Sequence, residues 1–215
     1  MENSNSLNEE SEMRKYTKRR LVKGVGINDA DYNLEKKELI NGKHKTVWKC
    51  RYYSTWVNML ARCYSEKGQL NRPTYKGCSV CDEWLIFSNF KAWMETQDWE
   101  GKHLDKDLLK VGNKVYCPEY CIFVDQKINT FVTDSGATRG ECMIGASWHK
   151  RAGKFESRCS NPLTGDNEYL GLFTNEMQAH LTWKSRKHEL ACLLADSEYC
   201  TDPRLSEALR KRYAD

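Results

Sequence analysis

His103-Leu104-Asp105-Lys106-Asp107 is the densest run of chemistry-bearing side chains in the sequence. Alternate residues of a strand share a face, so an extended segment would present His103, Asp105 and Asp107 together. An imidazole and two carboxylates on one face suit a hard divalent cation, which takes one or two carboxylates plus substrate phosphate oxygens. Attack of a metal-activated water on a phosphodiester is the reaction that set would support, with Mg²⁺ or Mn²⁺ as cofactor. The same carboxylates also suit a capped turn, or ion pairs with Lys106 and Lys110.

The second chemical signal is ten cysteines, at 50, 63, 78, 81, 117, 121, 142, 159, 192 and 200. Met1-Glu2-Asn3-Ser4-Asn5-Ser6 contains no apolar segment of the secretory type, so a cytoplasmic setting is expected, where disulfides do not persist. Most of the thiols are then expected to be small buried hydrophobes. Cys78-x2-Cys81 has zinc-knuckle spacing, and one structural zinc site built from Cys63, Cys78, Cys81 and either Cys117 or Cys121 is the other expectation.

Charge narrows the partner class. The 215 residues carry 34 Lys+Arg against 30 Asp+Glu, a net charge of +4. Arg14, Lys15, Lys18, Arg19 and Arg20 fall within one short run behind a Ser/Asn/Glu-rich start, so 1–22 reads as a flexible basic arm suited to phosphates, with Arg19 and Arg20 as DNA-contacting candidates. No apolar run approaches the roughly 20 residues of a membrane helix, which excludes a spanning segment of that kind.

The elements that must position these groups can be read from periodicity. Asn41-Gly42 between short alternating stretches is a hairpin signal. From Tyr53 the period turns helical through Trp56, Met59, Leu60 and Cys63, with Ser54 as the expected N-cap. A second helix over 87–95 carries Phe87, Phe90, Trp93 and Met94 as core residues. Gly112-Asn113 between Leu108-Leu109 and Val115-Tyr116 predicts another hairpin. Thr133 to Gly140 is small and polar, and predicts a linker over 133–141.

Beyond it the chain predicts strands at about 142–149, 154–160 and 168–173, then a helix over 176–195 capped by Thr174 or Asn175. Met177, His180 or Leu181, Lys184, His188 and Cys192, with Leu190, Leu193 and Leu194, follow the helical period. A sheet covered by one helix keeps one face free. The strands would offer His149, Lys150, Arg151, Lys154 and Arg158 there, with Trp148 and Tyr169 nearby. A basic ribbon of this kind fits a major groove about 12 Å wide.

Gly145-Ala146-Ser147-Trp148, Gly153-Lys154-Phe155 and Tyr169-Leu170-Gly171-Leu172-Phe173 resemble the plant ethylene-response-factor (Apetala-type) DNA-binding domain over about fifty residues. The resemblance implies a three-stranded antiparallel sheet packed on a helix. It also places Ser147, His149, Arg151, Arg158 and Tyr169 on the DNA face. Ser147 and Asn167 stand where that family commonly has Arg, and Arg158 where it often has Glu, so sequence preference is not carried over.

The stretch Tyr53 to Phe131 resembles a family of tailed-phage proteins related to HNH (ββα-metal) endonucleases. Its carriers are Trp56-Val57-Asn58-Met59-Leu60-Ala61-Arg62-Cys63-Tyr64, Pro73-Thr74-Tyr75-Lys76-Gly77-Cys78-Ser79-Val80-Cys81-Asp82-Glu83-Trp84, Leu104-Asp105-Lys106-Asp107 and Gly112-Asn113. The resemblance implies a catalytic set of His103, Asp105, Lys106, Asp107 and Asn113. An active motif usually reads Asp-His, where this chain has Asp105-Lys106. A lysine is a poor base unless its pKa is strongly depressed, and His103 stands two residues earlier.

The sequence thus predicts an α+β protein. A basic arm (1–22) leads to an HNH-like module (23–132), a linker (133–141), an Apetala-type module (142–200) and a helical tail (201–215). Double-stranded DNA is the expected partner, with nicking or cutting as the possible activity. The alternatives are a catalytically degenerate DNA binder, or a phage protein that binds a host protein.

Overall fold

A computed structural model describes residues 21–133 and 141–214. The basic arm, Arg19 and Arg20 included, and most of the expected linker lie outside the described residues. The fold is mixed α+β, with six α-helices and small sheets among the described residues. No helix among them is long and apolar enough to cross a membrane.

The chain forms two compact units whose boundary does not follow sequence order. One runs to Trp99 and adds Gly112–Cys121; the other takes Glu100–Val111 and everything from Ile122 onward. The sequence placed a single module over 23–132. The difference arises because the strand at 103–105 pairs with one at 122–124, and Leu108, Ile122, Val124, Ile128 and Phe131 share a core with Leu190, Leu194, Leu205 and Leu209.

In the first unit, strands β1 (Glu35–Ile40) and β2 (Lys43–Lys49) form the expected hairpin. Asn41 and Gly42 both take positive φ, 52° and 73°, as a two-residue primed turn requires. Helix α1 (Arg51–Tyr64) buries Trp56, Met59, Leu60 and Cys63 along one stripe. It starts three residues before the expected cap: Ser54 sits inside it and donates its hydroxyl to the Cys50 carbonyl at 3.0 Å. A short helix α2 (Glu66–Asn71) follows, then β3 (Ser79–Val80) and helix α3 (Phe87–Glu95). As expected, Phe87, Phe90 and Met94 are core residues. Trp56 anchors α1 to that core by donating Nε1–H to the Trp84 carbonyl at 2.7 Å.

In the second unit β4 (His103–Asp105) pairs antiparallel with β6 (Ile122–Val124), and helix α4 (Gln126–Val132) follows directly. The expected hairpin about Gly112-Asn113 does not form. Its second arm, β5 (Val115–Tyr116), belongs to the first unit and pairs parallel with β3. Two-residue apolar stretches specify pairing weakly, and other partners win.

Strands β7 (Ala146–His149), β8 (Lys154–Ser160) and β9 (Asn167–Phe173) form the expected three-stranded antiparallel sheet. Helix α5 (Glu176–Ala195) covers one face, its N-terminus capped by Asn175, which accepts from Met177 N–H at 2.7 Å. The buried stripe of α5 is Ala179, Trp183, Leu190, Ala191 and Leu194, whereas Met177, Leu181 and Leu193 are exposed. Small Ala179 lets the sheet approach closely enough for Ser157 Oγ to donate to the Ala179 carbonyl at 2.9 Å. Helix α6 (Pro203–Arg212) forms the expected helical tail and starts on Pro203 behind an Asp202 cap.

Candidate nucleic-acid interface

The registers of β7, β8 and β9 assign the residues of the sheet to its two faces. Ser157 faces α5, so its partner Ala146 does too, and period-2 alternation puts the Trp148–Phe155 pair on that same side. The outward face holds Ser147 opposite Glu156, His149 opposite Lys154, Arg158 opposite Tyr169, and Ser160 opposite Asn167. Trp148 therefore does not lie on the outward face with the other candidates. It is 50% exposed and packs edge-on against Phe155, at 4.9 Å between ring centres.

A register shift between Ser157 and Arg158 makes Leu170 the extra residue of a bulge. Leu170 turns inward and packs against the core, which keeps Tyr169 outward and 54% exposed. Arg158 lies over the Tyr169 ring at 5.5 Å and pairs with Glu156 at 2.9 Å. The guanidinium is thus aimed along the sheet surface by an aromatic face on one side and a carboxylate on the other. Lys150 and Arg151 occupy the β7–β8 turn, both exposed, with Lys154 at its far end. That turn is closed by two N–H bonds to the His149 carbonyl, from Ala152 at 3.1 Å and Gly153 at 3.0 Å. His149 Nδ1 also accepts from Ala152 N–H. His149 therefore shapes the basic turn as well as facing outward.

Glu156, Ser160 and Asn167 share this face and were not among the sequence candidates. Alternation from Arg158 along β8, and from Tyr169 along β9, was the available signal for all three. The result is a surface of mostly hydrogen-bonding side chains, with Leu172 opposite Glu156 and one exposed aromatic ring, edged by a cationic turn. Such a surface can contact phosphates and base edges together.

The residues of the proposed catalytic set are engaged differently. Strand β4 ends at Asp105, so Asp107 lies in the turn beyond it rather than on a shared strand face. Asp105 Oδ1 accepts from Asp107 N–H at 2.9 Å and Leu108 N–H at 2.7 Å, and so caps that turn. Its carboxyl pKa is raised, chiefly by burial and then by the Asp107 charge. Lys106 is buried, and its ammonium meets Asp107 at 3.0 Å. His103 is exposed at the start of β4. Asn113 belongs to the first unit, where its amide bonds the Val115 backbone in both directions, at 2.7 and 3.2 Å.

Five of the ten cysteines, at 50, 63, 78, 121 and 159, are buried. Cys78 and Cys81 flank the two-residue strand β3, and in extended backbone that spacing points them to opposite sides. Burial raises the Cys81 thiol pKa, and Cys117 adds to the rise. Among the described residues no three His, Cys, Asp or Glu side chains converge as a metal-holding group.

No family model matches the sequence, and neither a curated protein nor a solved structure matches it significantly.

Proposed function

We propose that this protein binds double-stranded DNA through the outward face of β7–β8–β9, with the Lys150–Arg151 turn on the phosphates. The observation that carries the reading is that face itself. It lies opposite the helix that covers the other side, and it presents Lys154, Arg158 and Tyr169 exposed beside the basic turn. A sheet face reads a groove through alternate side chains, while Arg and Lys at its edge fix register on the backbone. Arg158 held over Tyr169 forfeits little further entropy when it docks.

An electrophoretic shift or anisotropy titration with a short duplex tests this. Arg151→Ala with Arg158→Ala should weaken binding by roughly tenfold or more, given the energy of typical Arg contacts. The wild-type affinity should also fall steeply with salt. Unchanged affinity in the double variant, with a flat salt response, rejects the reading.

A second reading is metal-dependent nicking of DNA. The order β4, β6, α4, two antiparallel strands followed at once by a helix, is favourable to an HNH-like relationship. His103 is the accessible base candidate, and Mg²⁺ or Mn²⁺ would activate the attacking water. Against it stands the buried Lys106 just after β4, where such a motif carries histidine. Plasmid nicking with either cation, abolished in His103→Ala, would establish this activity; equal nicking by wild type and variant would reject that residue's role.

A further inference from the structure

Every residue from Glu35 to Lys49 is exposed, on both faces of the β1–β2 hairpin. A lone two-stranded ribbon is at best marginally stable in water, and this one buries no side chain of its own. The residues after it rejoin the fold at once: Cys50 is buried and donates its N–H to the Leu34 carbonyl at 2.8 Å.

Composition indicates the occupant. The fifteen residues carry Lys36, Lys37, Lys43, Lys45 and Lys49 against Glu35 and Glu38. The register sorts them. Lys36 pairs with Trp48, Glu38 with Lys45 and Ile40 with Lys43, and these three pairs share one face. The other face holds Glu35 opposite Lys49, Lys37 opposite Thr46, and Leu39 opposite His44. There Glu35 binds Lys37 at 2.6 Å. On the first face Lys36 lies over the Trp48 ring at 6.0 Å, and three lysines stand against a single carboxylate. A register shift between Lys36 and Lys37 adds local twist to the ribbon. A second copy of so cationic a ribbon would be repelled, whereas a major groove admits a two-stranded ribbon and its phosphates attract one.

We propose that the β1–β2 ribbon is a second DNA-contacting element, presenting the Lys36, Trp48, Lys45 and Lys43 face to the duplex. This rests on the DNA-binding reading of the C-terminal sheet and extends it to the other compact unit.

The test uses the full chain and a short DNA duplex, with affinity measured by anisotropy across a salt series. Lys36→Ala with Lys43→Ala and Lys45→Ala should weaken binding at least tenfold at low salt. It should also make the slope of log affinity against log salt shallower by roughly 2 to 3, near 0.9 per lost phosphate contact. Lys37→Ala with Lys49→Ala, on the opposite face, should change both less. All these side chains are exposed, so far-ultraviolet circular dichroism should match the wild type.

Lysine acetylation footprinting gives a second measurement, with DNA protecting Lys36, Lys43 and Lys45. If the triple variant keeps wild-type affinity and slope while Arg151→Ala with Arg158→Ala loses binding, the ribbon proposal fails and the sheet reading stands. Equal loss from the two ribbon faces overturns the face assignment. A wild-type chain that binds no duplex overturns both proposals.

Discussion

Gly145 and Trp183 are in direct apposition: a Cβ on Gly145 would lie 1.9 Å from the Trp183 ring carbon Cγ. Gly145 also holds φ at +80°, the left-handed region that other residues adopt only at a cost. One contact thereby fixes where the chain enters β7 and how α5 lies against the sheet. Gly145→Ala should be strongly destabilising, by about 3 kcal/mol or more, because overpacking and backbone strain act together. A denaturant titration measures this. Trp183→Phe alone should cost less, and Gly145→Ala in that background should be milder than in the wild type. Additive effects in the pair would show that the ring is not the obstacle.

The second unit is also tied by charge. Glu168 on β9 receives Arg186 from α5 through two bonds, at 2.7 and 3.0 Å, and the Asn161 amide at 2.8 Å. Arg186 first, then Asn161, lowers the Glu168 pKa to about 2. A carboxyl depressed in the folded state binds protons more readily once unfolded, so its stabilisation is present near neutrality and is lost as pH falls from about 4.5 towards 2. Glu168→Gln should therefore flatten the loss of stability over that range, with less difference between acid and neutral melting temperatures than in the wild type. Parallel acid profiles for the two proteins would sink the prediction.

Lys187 titrates in the opposite direction. Its ammonium lies 3.6 Å from the centre of the Phe131 ring, with Tyr213 and Trp183 at 5.7 and 5.9 Å. Burial first, with the nearby Arg212 charge helping and Cys159 opposing, lowers its pKa to about 8. The unfolded chain then holds the proton more tightly than the folded one, and stability should rise as pH climbs from about 8 towards 10.5. Lys187→Met should remove that rise. A second check is the pH dependence of Lys187 acetylation, which should reach half its limiting rate near pH 8.

How much of this was legible in the sequence depended on the length of each pattern. The three-stranded sheet and α5 were readable because seven-residue strands and a twenty-residue helix behind an Asn175 cap are long enough to leave a pattern. Asn41-Gly42 announced its hairpin through turn chemistry alone. The periodic set read on α5 includes Met177, Leu181 and Leu193, which are exposed, because alanines carry the close contact and alanine gives little hydrophobic signal. Strands of two or three residues, β3 to β6, were not legible: their partners are chosen by tertiary packing, which also moved 100–111 into the second unit. The outward sheet face was mostly legible, since strand geometry fixes side-chain direction. Trp148 was the exception, because aromatic character alone does not give the face. The proximity of Glu156 to Arg158 depended on the same alternation and could have been anticipated.

Asp105 caps the turn after β4 by accepting two backbone N–H groups, whereas His103 is exposed at the start of the same strand. Asp105→Ala leaves those two donors without their acceptor and should cost about 1–2 kcal/mol, the range for losing a capping side chain. Asp105→Asn keeps an acceptor oxygen and removes the repulsion by Asp107, so it should restore most of that stability. His103→Ala should leave the melting temperature within a degree or two, as is usual for an exposed site. Loss of any nicking activity in Asp105→Ala therefore says nothing about catalysis unless Asp105→Asn, folded normally, loses it too. If Asp105→Ala is as stable as the wild type, the capping role is wrong and the carboxylate is free for chemistry.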